Sequence, residues 1–85
     1  MIHREDVKSY PGTLNELAGE LGDLRYDSLA SFLEALAAKL EGDAQADEKR
    51  GRPQLASALQ GAASAVGVAA TEVEKAWKIS APFME

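Results

Sequence analysis

The stretch Pro53–Ser80, PQLASALQGAASAVGVAATEVEKAWKIS, decides how this chain folds. Its apolar and small residues recur in alternating steps of four and three: Leu55, Leu59, Ala62, Val66, Ala69, Val73, Ala76, Ser80. Only a helix brings such positions onto one face, and the spacing is that of a heptad repeat. Pro53 suits the first turn of a helix, and Pro82 disfavours helix at the residue before it. The pattern therefore predicts one long helix over residues 53–80.

Two glycines, Gly61 and Gly67, lie inside this predicted helix. Each lowers helix stability by about 1 kcal/mol relative to alanine. The helix is either continuous, or it breaks near Gly67 so that a fourth helix follows. Because a break would normally reset the heptad register, and the register crosses Gly67 unchanged, the sequence favours a continuous helix.

A short helix is predicted near the start of the chain, over residues 14–21. Thr13 and Glu16 have the spacing of a capping box, in which each residue's side chain accepts from the backbone of the other. Leu14, Leu17 and Leu21 form its apolar side, and Gly22 is expected to end it in the left-handed conformation. The turn residues before Thr13 separate this helix from a polar N-terminal arm over residues 1–12.

A second helix is predicted to begin at one of three candidate caps, Asp23, Asp27 or Ser28, and to end at Gly42. Its apolar side consists of Tyr26, Leu29, Phe32, Leu33, Leu36 and Leu40. Leucines of a buried helix face dominate stability, so Leu36→Ala is expected to cost about 2–5 kcal/mol.

The segment after Gly42 is charged, contains a second glycine and lacks large apolar side chains, which predicts a mobile charged loop over residues 43–52. Residues 81–85 are expected to form a C-terminal tail. Eighty-five residues make a single helical domain, residues 1–85. The helix lengths favour an all-α fold, a three-helix up-and-down bundle with a long C-terminal helix.

Composition argues against catalysis and cofactors. The chain has no cysteine and a single histidine, His3, which excludes the commonest nucleophilic triads and zinc sites. No metal site, no cofactor and no enzyme activity are therefore expected. Residues 1–8 contain no apolar run, so a cytoplasmic location is the default expectation. The uncharged residues 53–71 are too rich in serine and glutamine to favour a membrane span.

One short motif points in another direction. Lys49-Arg50-Gly51-Arg52-Pro53 resembles the core of an AT-hook, a segment that lies extended in the minor groove of A·T-rich DNA. The resemblance implies a regulator that contacts nucleic acid through Lys49, Arg50 and Arg52, since arginines are drawn to the negative potential of a narrow minor groove. The net charge of −5 makes nucleic acid an unlikely partner, because phosphate contacts require a basic face.

The long helix carries the stronger functional signal, because its apolar and small surface is wider than one seam. Alanine-rich flanks of this kind either face water as good helix formers, pack against the first helix, or contact another chain. A twofold dimer is the commonest closed symmetry, so a homodimer or a protein partner is expected. The predicted role is a non-catalytic interaction or structural domain. Its predicted surface consists of a small-residue patch, Ala58, Gly61, Ala62 and Ala65, and three apolar anchors, Trp77, Ile79 and Phe83.

Overall fold

A computed structural model describes residues 3–83, and in it the chain is all-helical, as predicted. Its helices are α1, Leu14–Gly22, α2, Tyr26–Lys49, and α3, Pro53–Ser80, followed by a 3₁₀ turn, Ala81–Phe83. Helix α3 runs unbroken through Gly67, so the continuous alternative is correct. The ends of the predicted arm and tail, residues 1–2 and 84–85, lie outside the described residues.

Helix α1 begins with the predicted capping box. The Thr13 hydroxyl accepts from the Glu16 backbone N–H at 3.1 Å, and the Glu16 carboxylate accepts from the Thr13 backbone N–H at 3.1 Å. The helix ends at Gly22 as expected, but the predicted left-handed conformation there is wrong, because Gly22 is still helical and the C-cap residue, Asp23, is right-handed. The Asp23 N–H bonds back to the Gly19 carbonyl at 3.1 Å, so the last turn closes without a left-handed residue.

Helix α2 begins and ends differently from the prediction. Its N-cap residue is Arg25, so none of the three predicted caps serves; Asp27 instead pairs with Arg25 at 2.7 Å. The predicted loop over residues 43–52 is also wrong, because α2 continues through Gly42 to Lys49. Burial of Ala44 and Asp47 against α3 stabilises these turns, and tertiary packing of this kind outweighs the low helix propensity of one glycine.

The connection between α2 and α3 is only three residues long, Arg50–Arg52. Gly51 has a φ of 74°, the left-handed value that favours glycine. Its N–H donates to the Glu48 carbonyl at 3.0 Å, and the Arg52 N–H donates to the Asp47 carbonyl at 2.9 Å. These two bonds are the Schellman arrangement, which satisfies the last carbonyls of α2 and reverses the chain.

Alanines line the contact between the two long helices. The members of this alanine seam recur every seven residues: Ala30, Ala37 and Ala44 in α2, and Ala56, Ala63 and Ala70 in α3. All are buried except Ala37, which is half-buried. The two helices contribute these alanines in pairs that are equally distant in sequence from Arg50: Ala44 with Ala56, Ala37 with Ala63, and Ala30 with Ala70. Residues related in this way lie opposite each other in an antiparallel hairpin. Small side chains at these levels let the helix axes approach closely.

The bundle predicted from the sequence is not what a single chain shows. Helices α2 and α3 pack along each other, whereas α1 has no buried residue and does not pack lengthwise against either. The radius of gyration is 15.3 Å, compared with about 12 Å for a compact domain of this length. The principal extents are 50 × 29 × 14 Å. The chain is therefore a long, flat helical hairpin with a short helix preceding it.

Candidate interaction surface

One side of the hairpin is apolar on both long helices. We call it the leucine face: Leu29, Leu33, Leu36 and Leu40 of α2, with Leu55, Leu59, Ala62, Val66, Ala69 and Val73 of α3. In each helix these residues lie one position before or three positions after a seam alanine. Because each residue turns the helix by about 100°, both positions fall on the same flank of the seam. Because the helices are antiparallel, these two flanks lie on the same side of the hairpin.

The large side chains of the leucine face are only partly covered. No large side chain in the described residues is fully buried, and Leu36 and Leu55 are 36% and 45% exposed. The predicted core role of Leu36 is therefore wrong for the single chain, because the seam that meets α3 consists of alanines. The accessible surface is 6541 Å², compared with about 4,850 Å² for a typical folded chain of this mass. The excess reflects the elongated, flat shape of the chain.

The opposite side of the hairpin is mostly polar, and its charged residues are acidic. Four residues after the seam alanines of α2 come Glu34, Glu41 and Glu48, and the matching positions of α3 include Gln60 and Glu74. The hairpin is thus amphipathic as a unit, with its leucines on one side of the alanine seam and these glutamates on the other, while Asp43 and Asp47 lie at the turn end of the leucine side. This division has the form expected of a docking surface rather than of scattered exposed apolar residues.

The small-residue patch predicted on α3 is exposed at all four positions. Ala62 belongs to the leucine face, whereas Ala58, Gly61 and Ala65 lie on the side of α3 that faces away from α2. The structure therefore divides the predicted patch between two surfaces. We call the set facing away, with Val68 added, the outer stripe of α3.

The three predicted anchors occupy different environments. Trp77 continues the alanine seam by seven residues and is half-buried, with the Arg25 guanidinium 5.1 Å from the centre of its ring. This contact joins the start of α2 to the end of α3. Ile79 and Phe83 are largely exposed, at 72% and 85%. Trp77 thus makes a contact within the hairpin, whereas Ile79 and Phe83 are exposed to solvent.

The segment that resembles an AT-hook forms the compact turn of the hairpin. Lys49 is the last residue of α2, and Arg50 and Gly51 have dihedral angles unlike those of an extended strand. Arg52 donates to the Asp47 carboxylate at 3.3 Å, and Arg50 lies 3.8 Å from it. Asp47 is almost fully buried, so both arginines are engaged by a carboxylate of their own chain. Gly51 and Pro53 have structural roles here, Gly51 in the turn and Pro53 as the first residue of α3.

A groove of about 730 Å³ extends the leucine face at the turn end of the hairpin. Its lining includes Leu40, Leu55 and Leu59 with the ion-paired Asp43 and Asp47, and His3 of the N-terminal arm lies beside it. Sequence reasoning missed this groove because it assigned residues 43–52 to a loop. The seven-residue spacing of Ala30, Ala37 and Ala44 was the signal that α2 continues.

The N-terminal arm folds back on α1 through Tyr10. Its hydroxyl donates a hydrogen bond to the Glu20 carboxylate, and this bond raises the pKa of Tyr10 above its usual value. Gly12 lies under the ring, since an added Cβ there would stand 2.6 Å from a ring carbon. This contact attaches the end of the arm to α1, whereas His3 at its start lies beside the groove of the hairpin.

No protein-family model, curated protein or solved structure matches this chain. Over residues 3–83, no helix is long and apolar enough to span a bilayer. The same residues contain no cluster of histidine and acidic side chains placed to hold a metal ion. Functional inference therefore rests on the geometry of the hairpin.

Proposed function

We propose that this chain is a non-catalytic interaction module whose leucine face packs against a helical surface of a protein. The observation that carries the proposal is the division of the hairpin by its alanine seam, with partly covered leucines on one side and glutamates on the other. A covered leucine side chain stabilises an association by about 1.5–3 kcal/mol relative to an exposed one. Several such residues in one plane are sufficient for a specific complex.

The shape of the leucine face suits helices as the partner. Two adjacent helices present parallel ridges with a groove between them, and such surfaces pack best against further helices. The up-and-down bundle predicted from the sequence is then completed between chains, with helices of a partner in the places that α1 leaves open. Of the small residues of α3, Ala62 and Ala69 belong to the leucine face and would contact the partner.

Binding of a hydrophobic fluorophore such as ANS tests whether the leucine face is an open apolar surface. At concentrations where sedimentation velocity shows a single chain, we expect fluorescence enhancement together with cooperative unfolding, which distinguishes a binding face from a molten state. Leu36→Ser and Leu55→Ser should each reduce the enhancement. Ala38→Ser, at an exposed position of α2 on the polar side, is the control and should not. A cooperatively folded chain that binds no fluorophore would refute the proposed function.

A further inference from the structure

We infer that the occupant of the leucine face is a second copy of this chain, so that two hairpins form a four-helix bundle. The inference rests on the proposed function and specifies the partner of the same surface. Three properties of the face support it: its area, the placement of its charges, and the complementary sizes of its two halves.

The area of the face matches what a stable dimer requires. Helix α2 has 24 residues and is therefore about 36 Å long, and two adjacent helices are roughly 20 Å wide. The product, about 700 Å² on each copy, is close to the roughly 800 Å² per partner of a standard interface. Helix α1, with nine residues, spans only about 13 Å and is too short to cover the face, and His3 of the N-terminal arm lies only at its turn end.

The charges are placed so that a second copy is not repelled, although the chain carries a net charge of −5. The acids near the leucine face, Asp43 and Asp47, are already paired within the chain. Lys39 lies 2.6 Å from Asp43, and Arg52 lies 3.3 Å from Asp47. Glu34, Glu41 and Glu48 lie on the opposite side of the hairpin, where they remain in water when two faces meet. Self-association therefore brings no unpaired like charges together.

The two halves of the face differ in size in a way that complements a copy of itself. On α2 the face is a ridge of leucines, whereas on α3 alanines at positions 62 and 69 interrupt it. A twofold arrangement places α2 of each copy over α3 of the other. The leucines of each α2 then pack against the smaller side chains of the partner's α3. Every neighbouring pair of helices is then antiparallel, as in an up-and-down bundle.

Sedimentation equilibrium of two matched variants tests this inference. Ala69 lies on the leucine face and Ala65 on the outer stripe, four residues away on the same helix, and both are exposed. We expect a wild-type dimer, and Ala69→Glu should raise its dissociation constant by about a hundredfold or more, because the interface would bury an unpaired carboxylate. Ala65→Glu should change it less than about threefold. Circular dichroism should show equal helicity in both variants.

A wild-type chain that stays monomeric up to about 1 mM, the weak end of the affinity scale, would overturn the inference. A dimer weakened by Ala65→Glu and unaffected by Ala69→Glu would also overturn it, and would assign the contact to the outer stripe. These results are separable from failure of the proposed function. A monomer that still binds the fluorophore retains the interaction face with a different occupant, whereas a folded monomer that binds none lacks the face altogether.

Discussion

At the residue scale, Gly51 has the most demanding backbone position. It is the one residue between positions 3 and 83 with a positive φ, and it closes the hairpin through two backbone hydrogen bonds from the turn. A side chain is tolerated poorly there because its Cβ approaches the following carbonyl oxygen. Gly42, in contrast, lies in regular helix, is exposed and has open space around it.

Substitution by alanine is expected to have opposite effects on stability at these two glycines. Gly51→Ala should lower the free energy of unfolding by about 1–2 kcal/mol, the cost of a left-handed residue with a side chain. Gly42→Ala should raise it by up to about 1 kcal/mol, since alanine is the better helix former. Urea denaturation of both variants measures the difference. Equal effects of the two substitutions would contradict the turn geometry.

The capping box of α1 makes the stability of this helix depend on pH. Hydrogen bonding from the Thr13 backbone N–H, and then from the Thr13 side chain, lowers the pKa of Glu16 below its ordinary value of 4.5. A group with a depressed pKa in the folded state contributes stability above its unfolded pKa, and this contribution is lost as the pH falls through the folded pKa. Helix α1 should therefore fray as the pH falls below about 4.5.

Amide chemical shifts of α1 recorded between neutral and acidic pH measure this fraying. The Glu16→Gln variant is the control, because its amide does not titrate in this range and leaves the cap independent of pH. We expect the acid-induced change at α1 to be smaller in the variant than in the wild type. An identical acid response in both proteins would contradict a role for the Glu16 carboxylate.

At the element scale, the alanine seam holds α2 and α3 together. Ala63 is 6% exposed, and its neighbour two positions on, Ala65, faces away from α2. Ala63→Leu should lower the free energy of unfolding by about 1–3 kcal/mol, because overpacking forces the helices apart. Ala65→Leu should change it by less than about 0.5 kcal/mol, as surface substitutions do. Similar losses for both, measured by thermal denaturation, would place the helix contact elsewhere.

The heptad pattern predicted the long helix correctly, but the residues that define the pattern are not those that are buried at the contact with α2. The pattern was read from Leu55, Leu59 and the residues that follow them, and these form the leucine face. The closest contact lies one position further along, at Ala56, Ala63 and Ala70. Large side chains mark the side of a helix that avoids water, whereas small ones mark where another backbone comes nearest. Alanine is also common on exposed helix surfaces, so composition alone does not distinguish the two roles.

The end of α2 could not be predicted from local signals. Gly42, together with the charged residues after it, has the composition of a loop, yet the helix extends to Lys49. The reason is a contact distant in sequence, since α2 packs along α3 and Ala44 is buried there, while Asp47 is buried beside the arginines of the turn. The Thr13 capping box, whose bonds are all local, was predicted correctly. Features that depend on residues within one helical turn can thus be predicted from the sequence, whereas features that depend on contacts with the facing helix cannot.

At the scale of the whole molecule, the hairpin has a core of alanines and a surface of leucines. Small domains bury a modest fraction of their surface and are marginally stable, and oligomerisation is a common means of stabilising them. Here the side chains with the largest apolar area are only partly buried in the single chain. A second hairpin on the leucine face would give those side chains the burial that the alanine seam does not provide.

The thermal midpoint as a function of protein concentration tests the central claim, that a second copy covers the leucine face. If folding and association are coupled, a hundredfold rise in concentration contributes about 2.7 kcal/mol, enough to raise the midpoint by roughly 5–10 °C. Circular dichroism of the wild type should show this rise, and Ala69→Glu should show a lower midpoint than the wild type at each concentration. A wild-type midpoint that is the same at every concentration would contradict the claim.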